Sequence, residues 1–546
     1  MQETQPTKTK KRIPLTNVAL LLIGAALIGQ LLGFLRTKLV NGNFPAVGPD
    51  STDAYFAAFI IPDFFFYTLA AGVLGVALIP VLADRLQKGD RKGMWEVCAS
   101  LLNFLSIIMA LVAMVIFVFA DPLMSQLAHR LTPEQHDNAV TIMRLLALNP
   151  LLFTISGILT SVQQTMGRFF FFAIAPLFYN LSIIVSIYVF PCHQVHGVCQ
   201  AGGLGLKGLG VGAFVGGILQ LAVVCFGLIG TRFTWRPKIT WRNADFRTVL
   251  NQLPPRSLDQ GIDQIQTMVE TRLASGLGQG VITYYNNAYI LQTAPTLLIG
   301  TAISTAAFPR LAQRLSQGRP DLFRRDFLRI LRFMIWLTIP VAIICYLGRG
   351  YLARIIFTTG APQIALIFGF LAAAIFFRTI YTIVSRWFYA QKDTKTPLFV
   401  SMFTIAFNIV ATVMLARPSA YGMAGLALSV SLASMIEVLI LGVIMVTRDR
   451  ALLNMPFWGG VGRIVSVGGF SMLAGYIAVK YFPLGLADRG ITLGVKLGFI
   501  ALATFVVHIA VSGLFGLEEA RPIFAGIKRI VLMPIKGIAT YYDPNK

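Results

Sequence analysis

Long apolar runs follow one another along almost the whole chain, each broken by a short polar or basic stretch. A helical run of about 20 apolar residues crosses a hydrocarbon core of roughly 30 Å. Backbone donors and acceptors in lipid must be satisfied within the segment, so these runs are read as helices; the alternating pattern of a membrane barrel is absent. The pattern predicts about fourteen spans: Leu15–Val40, Asp53–Ala83, Trp95–Ala120, Val140–Thr165, Phe170–Phe190, Gly208–Ile229, Leu250–Ser275, Val281–Leu311, Phe327–Leu347, Gln363–Ala390, Leu398–Ala416, Gly422–Val446, Val461–Val479 and Ile491–Phe515. The fold class that follows is an all-α polytopic membrane protein. Residues 1–13 form an N-terminal segment. The tail, 516–546, mixes Ile, Leu and Met with Lys528, Arg529 and Lys536 and is expected to lie on the inner membrane surface.

Two of these runs end alike. Pro80–Leu86 reads PVLADRL, and Pro309–Leu315, 229 residues later, reads PRLAQRL. Each run opens with Ala-Tyr (Ala54-Tyr55, Ala288-Tyr289) and carries an early proline (Pro62, Pro295). Matching the second span to the eighth sets equivalent elements six helices apart and running in the same direction, which makes two parallel repeats. The predicted N-lobe is 14–230 and the C-lobe 248–447, joined by a basic linker at 231–247, with two further spans in 461–515. Repeated halves are the usual build of a transporter, with the substrate site between them.

Composition agrees: 56% of residues are hydrophobic and 13% charged, where a soluble domain is about a quarter charged. Mean hydropathy is +0.71. The net charge of +23 would suit nucleic acid, but the basic residues sit in alternate loops: Lys8, Lys10, Lys11 and Arg12, then Arg85, Lys88, Arg91 and Lys92, then Arg232, Arg236, Lys238 and Arg242, then Arg314, Arg319, Arg324 and Arg325. By the positive-inside rule both termini are cytoplasmic, as an even span count requires. Membrane lipids, not nucleic acid, are therefore the expected partners. The first apolar run is too long for a cleavable signal peptide.

No phosphate-binding loop, metalloprotease motif or arranged nucleophile is present, so the chain is read as a transporter and not an enzyme, without a resident cofactor. Transport would run on an ion gradient, the membrane potential or substrate supply. Of five cysteines, Cys98, Cys225 and Cys345 lie in or at the ends of spans; Cys192 and Cys199 bracket CHQVHGVC in a loop expected outside. That loop admits a disulfide, two free thiols, or a metal site made of Cys192, His193, His196 and Cys199.

Ionisable side chains inside a span are costly and read as functional. The seventh span carries the largest set, Arg256, Asp259, Asp263 and Glu270. At about 100° per residue they share one face with Gln260 and Thr267. Such a stripe is expected to face a wet cavity; pairing of Arg256 with Asp259 along their own helix is the structural alternative. Arg272, off the stripe and near the outer end, is explained by snorkelling. A second cluster joins Arg36 of the first span to Asp53 and Asp63 of the second. Arg36 is suited to bidentate contact with an anionic headgroup or to a salt bridge with Asp53 or Asp63. Arg144, Arg378, Arg386 and Glu437 are further intramembrane candidates, Arg386 as an interfacial anchor.

LLGFLRTKLV (Leu31–Val40), TDAYFAAFIIPDFF (Thr52–Phe65), ALIPVLAD (Ala77–Asp84), APLFYN (Ala175–Asn180), AAFPRLAQRL (Ala306–Leu315) and FYAQKDTKTP (Phe388–Pro397) together resemble the MurJ/MviN family over essentially the whole chain. The resemblance implies membership of the multidrug/oligosaccharidyl-lipid/polysaccharide exporter superfamily and a bacterial inner membrane. It implies flipping of lipid II, the undecaprenyl-pyrophosphate-linked peptidoglycan precursor, by alternating access, with the last two helices as a groove for the lipid tail. The family's cavity uses several arginines. Arg36 matches the one in its first-helix GFxR motif, but the arginine six residues earlier corresponds to Gln30. The second-helix Pro-Asn-x-x-Arg pattern reads Pro62-Asp63-Phe64-Phe65-Phe66, and the eighth-helix Ala-Asp/Asn-Arg pattern reads Ala288-Tyr289-Ile290. One of four arginines remains, and Arg256 or Arg144 is a candidate to compensate. Some family members bind a cation in the second lobe, for which Asp259, Asp263 and Asn408 are the candidates here.

The reading that results is a flippase of a polyprenyl-pyrophosphate-linked saccharide. Arg36, Asp53, Asp63, Arg144 and Arg256 are assigned to the substrate; Asp259, Asp263, Thr267, Glu270 and Asn408 line the cavity or serve coupling. Asp263 or Glu270 would couple to protons or a monovalent cation. Two rivals stand beside it: a cation-coupled small-molecule exporter of the same fold, which the acidic stripe would suit, and a non-transporting scaffold that docks cell-wall synthesis proteins.

Overall fold

The computed structural model describes residues 15–521 other than 72–77, 192, 196–197, 201–203, 232, 358 and 486; side chains are described except at 15–20, 23, 71, 193–195, 198–200 and 254–259. The chain divides into two compact units between Ile282 and Thr283. Its helices begin with α1 (Leu15–Asn43), α2 (Thr52–Phe66), α3 (Ile79–Gln87), α4 (Arg91–Val118), α5 (Ala120–Leu127), α6 (Pro133–Leu146), α7 (Asn149–Thr165) and α8 (Phe170–Val189). A short antiparallel hairpin, β1 (His193–Val195) with β2 (Val198–Gln200), leads to α9 (Leu206–Phe226) and α10 (Ala244–Leu277). Next come α11 (Val281–Pro295), α12 (Ala302–Ser316), α13 (Pro320–Leu347), α14 (Arg349–Ile356), α15 (Ala361–Ala390), α16 (Lys395–Leu415), α17 (Met423–Arg448), α18 (Met455–Tyr481) and α19 (Gly490–Leu514).

Among the described residues, twelve helices are long and apolar enough to cross a membrane. The first and seventh positions of the fourteen-span reading are also helical, α1 with 29 residues and α10 with 34. Several spans are less regular than their hydropathy suggests. The fourth breaks between α6 and α7, where Pro150 cannot donate to the preceding turn. The second and eighth each pass into a π-helical turn, at Tyr67–Ala71 and Thr296–Thr301. Such turns are rare and concentrate at functional sites.

The repeat is visible element by element. A step of 229 residues carries α2 onto α11, both of 15 residues, α4 onto α13, both of 28, and α5 onto α14, both of 8. It carries the start of one π-turn, Tyr67, onto that of the other, Thr296. The same step equates Arg85 with Arg314, the arginines that end the shared motif. Each is ion-paired: Arg85 with Asp90 and Asp245, Arg314 with the buried Asp326, which Arg310 also reaches at 3.2 Å. The motif therefore latches helix ends together. The Ala-Tyr pairs are not equivalent under this step, since Ala54-Tyr55 lies in the first turn of α2 and Ala288-Tyr289 two turns into α11.

Within the first unit, α10 packs along α2 and its π-turn, so the compact units divide after the seventh span, while the sequence repeat begins with it. The contact is close: a Cβ on Gly261 would lie 3.2 Å from Thr68 Cγ2.

Within the second unit, α18 and α19 are clamped to α13 by a buried polar network. The His508 ring donates to the Trp336 carbonyl at 3.0 Å through Nε2, which leaves Nδ1 to accept from Ser471 Oγ at 2.9 Å. Trp336 Nε1 donates to Ser512 Oγ at 2.8 Å, and Ser512 donates to the His508 carbonyl. On α19 the buried face carries Thr504, His508 and Ser512, while Ile491, Val495, Phe499, Leu502 and Val506 are exposed. A polar inner and apolar outer face is the arrangement of a helix bathed in lipid. His508→Ala should leave the Trp336 carbonyl and a cavity unfilled, costing about 2–4 kcal/mol. A fall in the melting temperature of purified protein, larger than for a lipid-facing change such as Val506→Ala, is the expected readout.

The loop between α15 and α16 is held by Asp393, which accepts from the Thr396 hydroxyl at 2.6 Å and from Arg448 Nη1 at 2.6 Å. Burial alone would raise its pKa, but the hydrogen bonds from Thr396 and the Arg448 charge outweigh this and bring it down to about 2. A carboxyl depressed in the folded state stabilises fully above its unfolded pKa of about 4. Asp393→Asn should therefore lower the melting temperature at pH 7, and the gap from the parent should close as pH falls from about 4 to 2.

Candidate functional site

In the first unit, the mid-helix of α1 brings up Arg36, half-buried and one turn from the Thr37–Gly33 and Asn41–Thr37 side-chain bonds that stiffen this stretch. Asp63 of α2, beside Pro62 and one turn before the π-turn, is also half-buried and lies within Coulombic range of Arg36. Tyr55 of α2 and Tyr179 of α8 lie in the same field. Among the described residues, neither Arg36 nor Asp63 closes an ion pair or hydrogen bond. Tyr179 continues an aromatic chain: Phe66 packs edge-on to Phe153 with centroids 5.6 Å apart, and Phe153 to Tyr179 at 5.4 Å. Phe66, at the position where the family pattern has an arginine, is thus a packing residue.

The other predicted residues are distributed differently. Asp53 is 1% exposed and accepts the Gly280 amide at 2.6 Å, so it pins the start of α2 to the loop after α10. Arg144 stands apart, exposed at the end of α6, with Nε on the Phe117 carbonyl at 3.3 Å. It edges an apolar cavity of about 460 Å³ bounded by Met114, Phe117, Leu148 and Phe214. On α10, Glu270 is buried and accepts from Gln266 Nε2 at 2.7 Å, Thr267 bonds back to the Asp263 carbonyl, and Asp263 is exposed. The side chains of Arg256 and Asp259 lie outside the described residues. Arg272 donates to the Gln126 carbonyl at the end of α5, so it is bound to protein where snorkelling was expected.

The second unit holds a polar constellation that only isolated residues announce in the sequence. Arg378 of α15 donates to Tyr289 Oη at 3.0 Å and to Ser434 Oγ of α17 at 3.3 Å, with its guanidinium 5.6 Å from the centre of the Tyr289 ring. Glu437, one turn along α17, accepts from Ser401 of α16 at 2.6 Å, and Ser401 meets Tyr381 at 3.2 Å. Arg378 thus brings a guanidinium to Tyr289, in the short eighth-helix pattern where the family has an acidic or amide residue followed by arginine. The sequence signal was the spacing of Ser431, Ser434 and Glu437, three apart on one face of α17. Arg386 lies over the Phe308 and Tyr389 rings.

Asn408 of α16 is buried in a neutral knot: Thr412 Oγ1 lies 2.9 Å from its amide oxygen and 2.7 Å from Ser429 Oγ. Its carbonyl-type oxygen is occupied by a hydroxyl donor. Among the described residues, no group of three or more His, Cys, Asp or Glu could hold a metal ion. Of the loop candidate, Cys192 and His196 lie outside the described residues, as do the side chains of His193 and Cys199.

Comparison with known proteins bears on what these groups serve. The family model described as "Lipid II flippase MurJ" matches residues 48–482. A probable lipid II flippase MurJ of Rhizobium tropici is 25% identical over 533 residues, covering 93% of this chain and 95% of that protein. The lipid II flippase MurJ of Burkholderia cenocepacia is 25% identical over 444 residues, covering 77% and 81%. Among solved structures, a lipid II flippase MurJ in an inward closed conformation superposes with a TM-score of 0.72 at 19% identity, covering 91% of this chain and 98% of the other. An inward-facing multidrug resistance MATE family transporter of the MOP superfamily gives 0.63 at 16% identity, covering 80% and 99%. The two structural matches speak for the fold.

Proposed function

Because the chain belongs to the lipid II flippase MurJ family, we propose that it carries lipid II from the inner to the outer leaflet of a bacterial cytoplasmic membrane by alternating access. The match of the family model over residues 48–482 carries this reading. It is a transporter, not an enzyme, and a multi-pass membrane protein.

In this proposal Arg36 is the principal contact for the pyrophosphate. A planar guanidinium binds two phosphate oxygens at once, and among the described residues none takes a hydrogen bond from Arg36. Asp63 is its counter-charge: it holds Arg36 in place without substrate and opposes the anion once it arrives, which favours release on the far side. Tyr55 and Tyr179 offer hydroxyls and ring faces to the saccharide. Arg378, on Tyr289 and Ser434, supplies the cationic character that the eighth-helix pattern lacks. Arg144 and Arg256 are kept as secondary contacts, and Asp53 as the residue that positions the start of α2. The exposed apolar face of α18 and α19 suits a polyprenyl tail.

Coupling is assigned to Asp263 or Glu270, with Asp259 and Thr267 on the same stripe, using a proton or a monovalent cation. Asn408, bonded within a neutral knot, supports that stripe as the ion site in preference to its own. The lobes 14–230 and 248–447 are the proposed repeat units, with both termini cytoplasmic by the distribution of basic loops. Lipid II delivered outside must be polymerised there, which makes cell-wall synthesis proteins the expected neighbours. Complementation tests the whole reading: the chain should sustain growth of a bacterium whose own flippase is depleted. Lysis despite correct insertion of the full-length chain would contradict it.

A further inference from the structure

At one end of the second unit lies a cavity of about 530 Å³ that the transport reading does not use. Three arginines of α13 border it: Arg325, Arg329 and Arg332. Steps of four and three place them on one face of the helix. From Phe333 to Leu347 α13 carries no charged residue, so the hydrocarbon interior begins where the arginines stop and the cavity lies at headgroup depth.

The walls are mixed. Ile303 of α12, Leu328 and Phe333 of α13 and Phe457 of α18 are apolar. Glu518 and Glu519, just beyond α19, complete the rim. Glu519 is buried and taken by Arg332, whose Nε is 2.7 Å from it. Among the described residues, Arg325 and Arg329 make no ion pair or hydrogen bond, and both are exposed. Against the remaining Glu518 they leave one unbalanced positive charge. The neighbouring arginines of α12 and α13 are otherwise engaged: Arg324 grips Asp449 with two bonds of 2.8 Å, and Arg310 and Arg314 share Asp326.

We propose that this cavity binds the phosphodiester headgroup of an anionic membrane phospholipid, with Arg325 and Arg329 on the phosphate and Ile303, Phe333 and Phe457 against the upper acyl chain. One phosphodiester carries the single negative charge that the site lacks. Basic pockets between helices at the cytoplasmic surface are where anionic lipids dock. A free phosphate would meet the same arginines but gain nothing from the apolar walls. Because the cavity joins α12, α13, α18 and the segment after α19, an occupant ties the last two helices to the body of the unit.

Native mass spectrometry of the full chain tests this, with phosphatidylglycerol and phosphatidylcholine of identical acyl chains, and with inorganic phosphate and glycerol 1-phosphate as soluble competitors. The parent should retain phosphatidylglycerol in preference to phosphatidylcholine. The double variant Arg325→Gln/Arg329→Gln should lose about 25-fold in phosphatidylglycerol affinity, roughly fivefold per arginine, with phosphatidylcholine unchanged. Glu518→Gln, at an exposed position, should bind phosphatidylglycerol more tightly than the parent. Unchanged phosphatidylglycerol binding in the double variant, or no gain in Glu518→Gln, would overturn the proposal. Full displacement of the lipid by millimolar inorganic phosphate would assign the site to a soluble anion instead.

Discussion

Arg36→Ala should abolish outward delivery of lipid II while leaving the protein folded and inserted. Arg36 is a half-buried guanidinium with no hydrogen bond or ion pair among the described residues, so removing it breaks none of the bonds that hold α1 and α2. On the proposed assignment the change removes a charge-assisted, bidentate contact to pyrophosphate, worth about 2–4 kcal/mol where such groups are desolvated, or roughly 30- to 700-fold in the affinity of the loaded state. Arg36→Lys keeps the charge but not the fork and should recover only part of the activity. Asp63→Asn should move the other way at the binding step: with the opposing carboxylate gone, headgroup affinity rises and release slows. Lipid II binding to purified variants would check all three. Equal affinity of Arg36→Ala and the parent would remove Arg36 from the site.

Arg378→Ala is the second change expected to be severe, for a different reason. Arg378 joins three helices, reaching Tyr289 on α11 and Ser434 on α17 from α15. Its loss would remove a cation and would also leave a tyrosine and a serine without their donor. Transport is expected to fall by about two orders of magnitude, and the melting temperature with it, since a buried acceptor stripped of a charged partner costs about 1–3 kcal/mol. Ile290→Arg in the Arg378→Ala background restores an arginine where the family pattern has one. Recovery of flipping without recovery of melting temperature would separate the binding role from the structural one. Flipping that remains normal in Arg378→Ala would show that the first-unit arginine suffices.

The helices were legible in the sequence because the bilayer imposes a single demand, long apolar runs, that hydropathy reads directly. The repeat was legible in PVLADRL and PRLAQRL, where the arginine of each motif latches helix ends. The Ala-Tyr pairs misled in detail: tyrosines are common on these helices, and a step of 229 residues pairs Tyr55 with Tyr284, not Tyr289. The π-turns were invisible, because they arise from a one-residue surplus in backbone bonding that side-chain pattern does not encode. The polar residues of the seventh span stood out, but not that α10 lies along α2. A polar stripe tells which face of a helix avoids lipid but not which neighbour it meets. At the site, Arg36 and Asp63 lie within Coulombic range of each other, one of the two pairings that the charges of the first two spans allowed. Asp53 was grouped with them by charge and proximity along the chain, yet its carboxylate is spent on the Gly280 backbone, 227 residues away. The Arg378–Tyr289 contact could not be anticipated either, since it joins helices whose rotations only packing sets.

The central claim, that this chain delivers lipid II to the outer leaflet, is tested most directly in cells whose own flippase can be switched off within minutes. Lipid II exposed outside would be measured by its susceptibility to an externally added headgroup-cleaving toxin. With this chain expressed, exposure should persist after the switch, and it should vanish with Arg36→Ala at equal membrane abundance. Loss of exposure with the parent chain, correctly inserted at normal levels, would contradict the account.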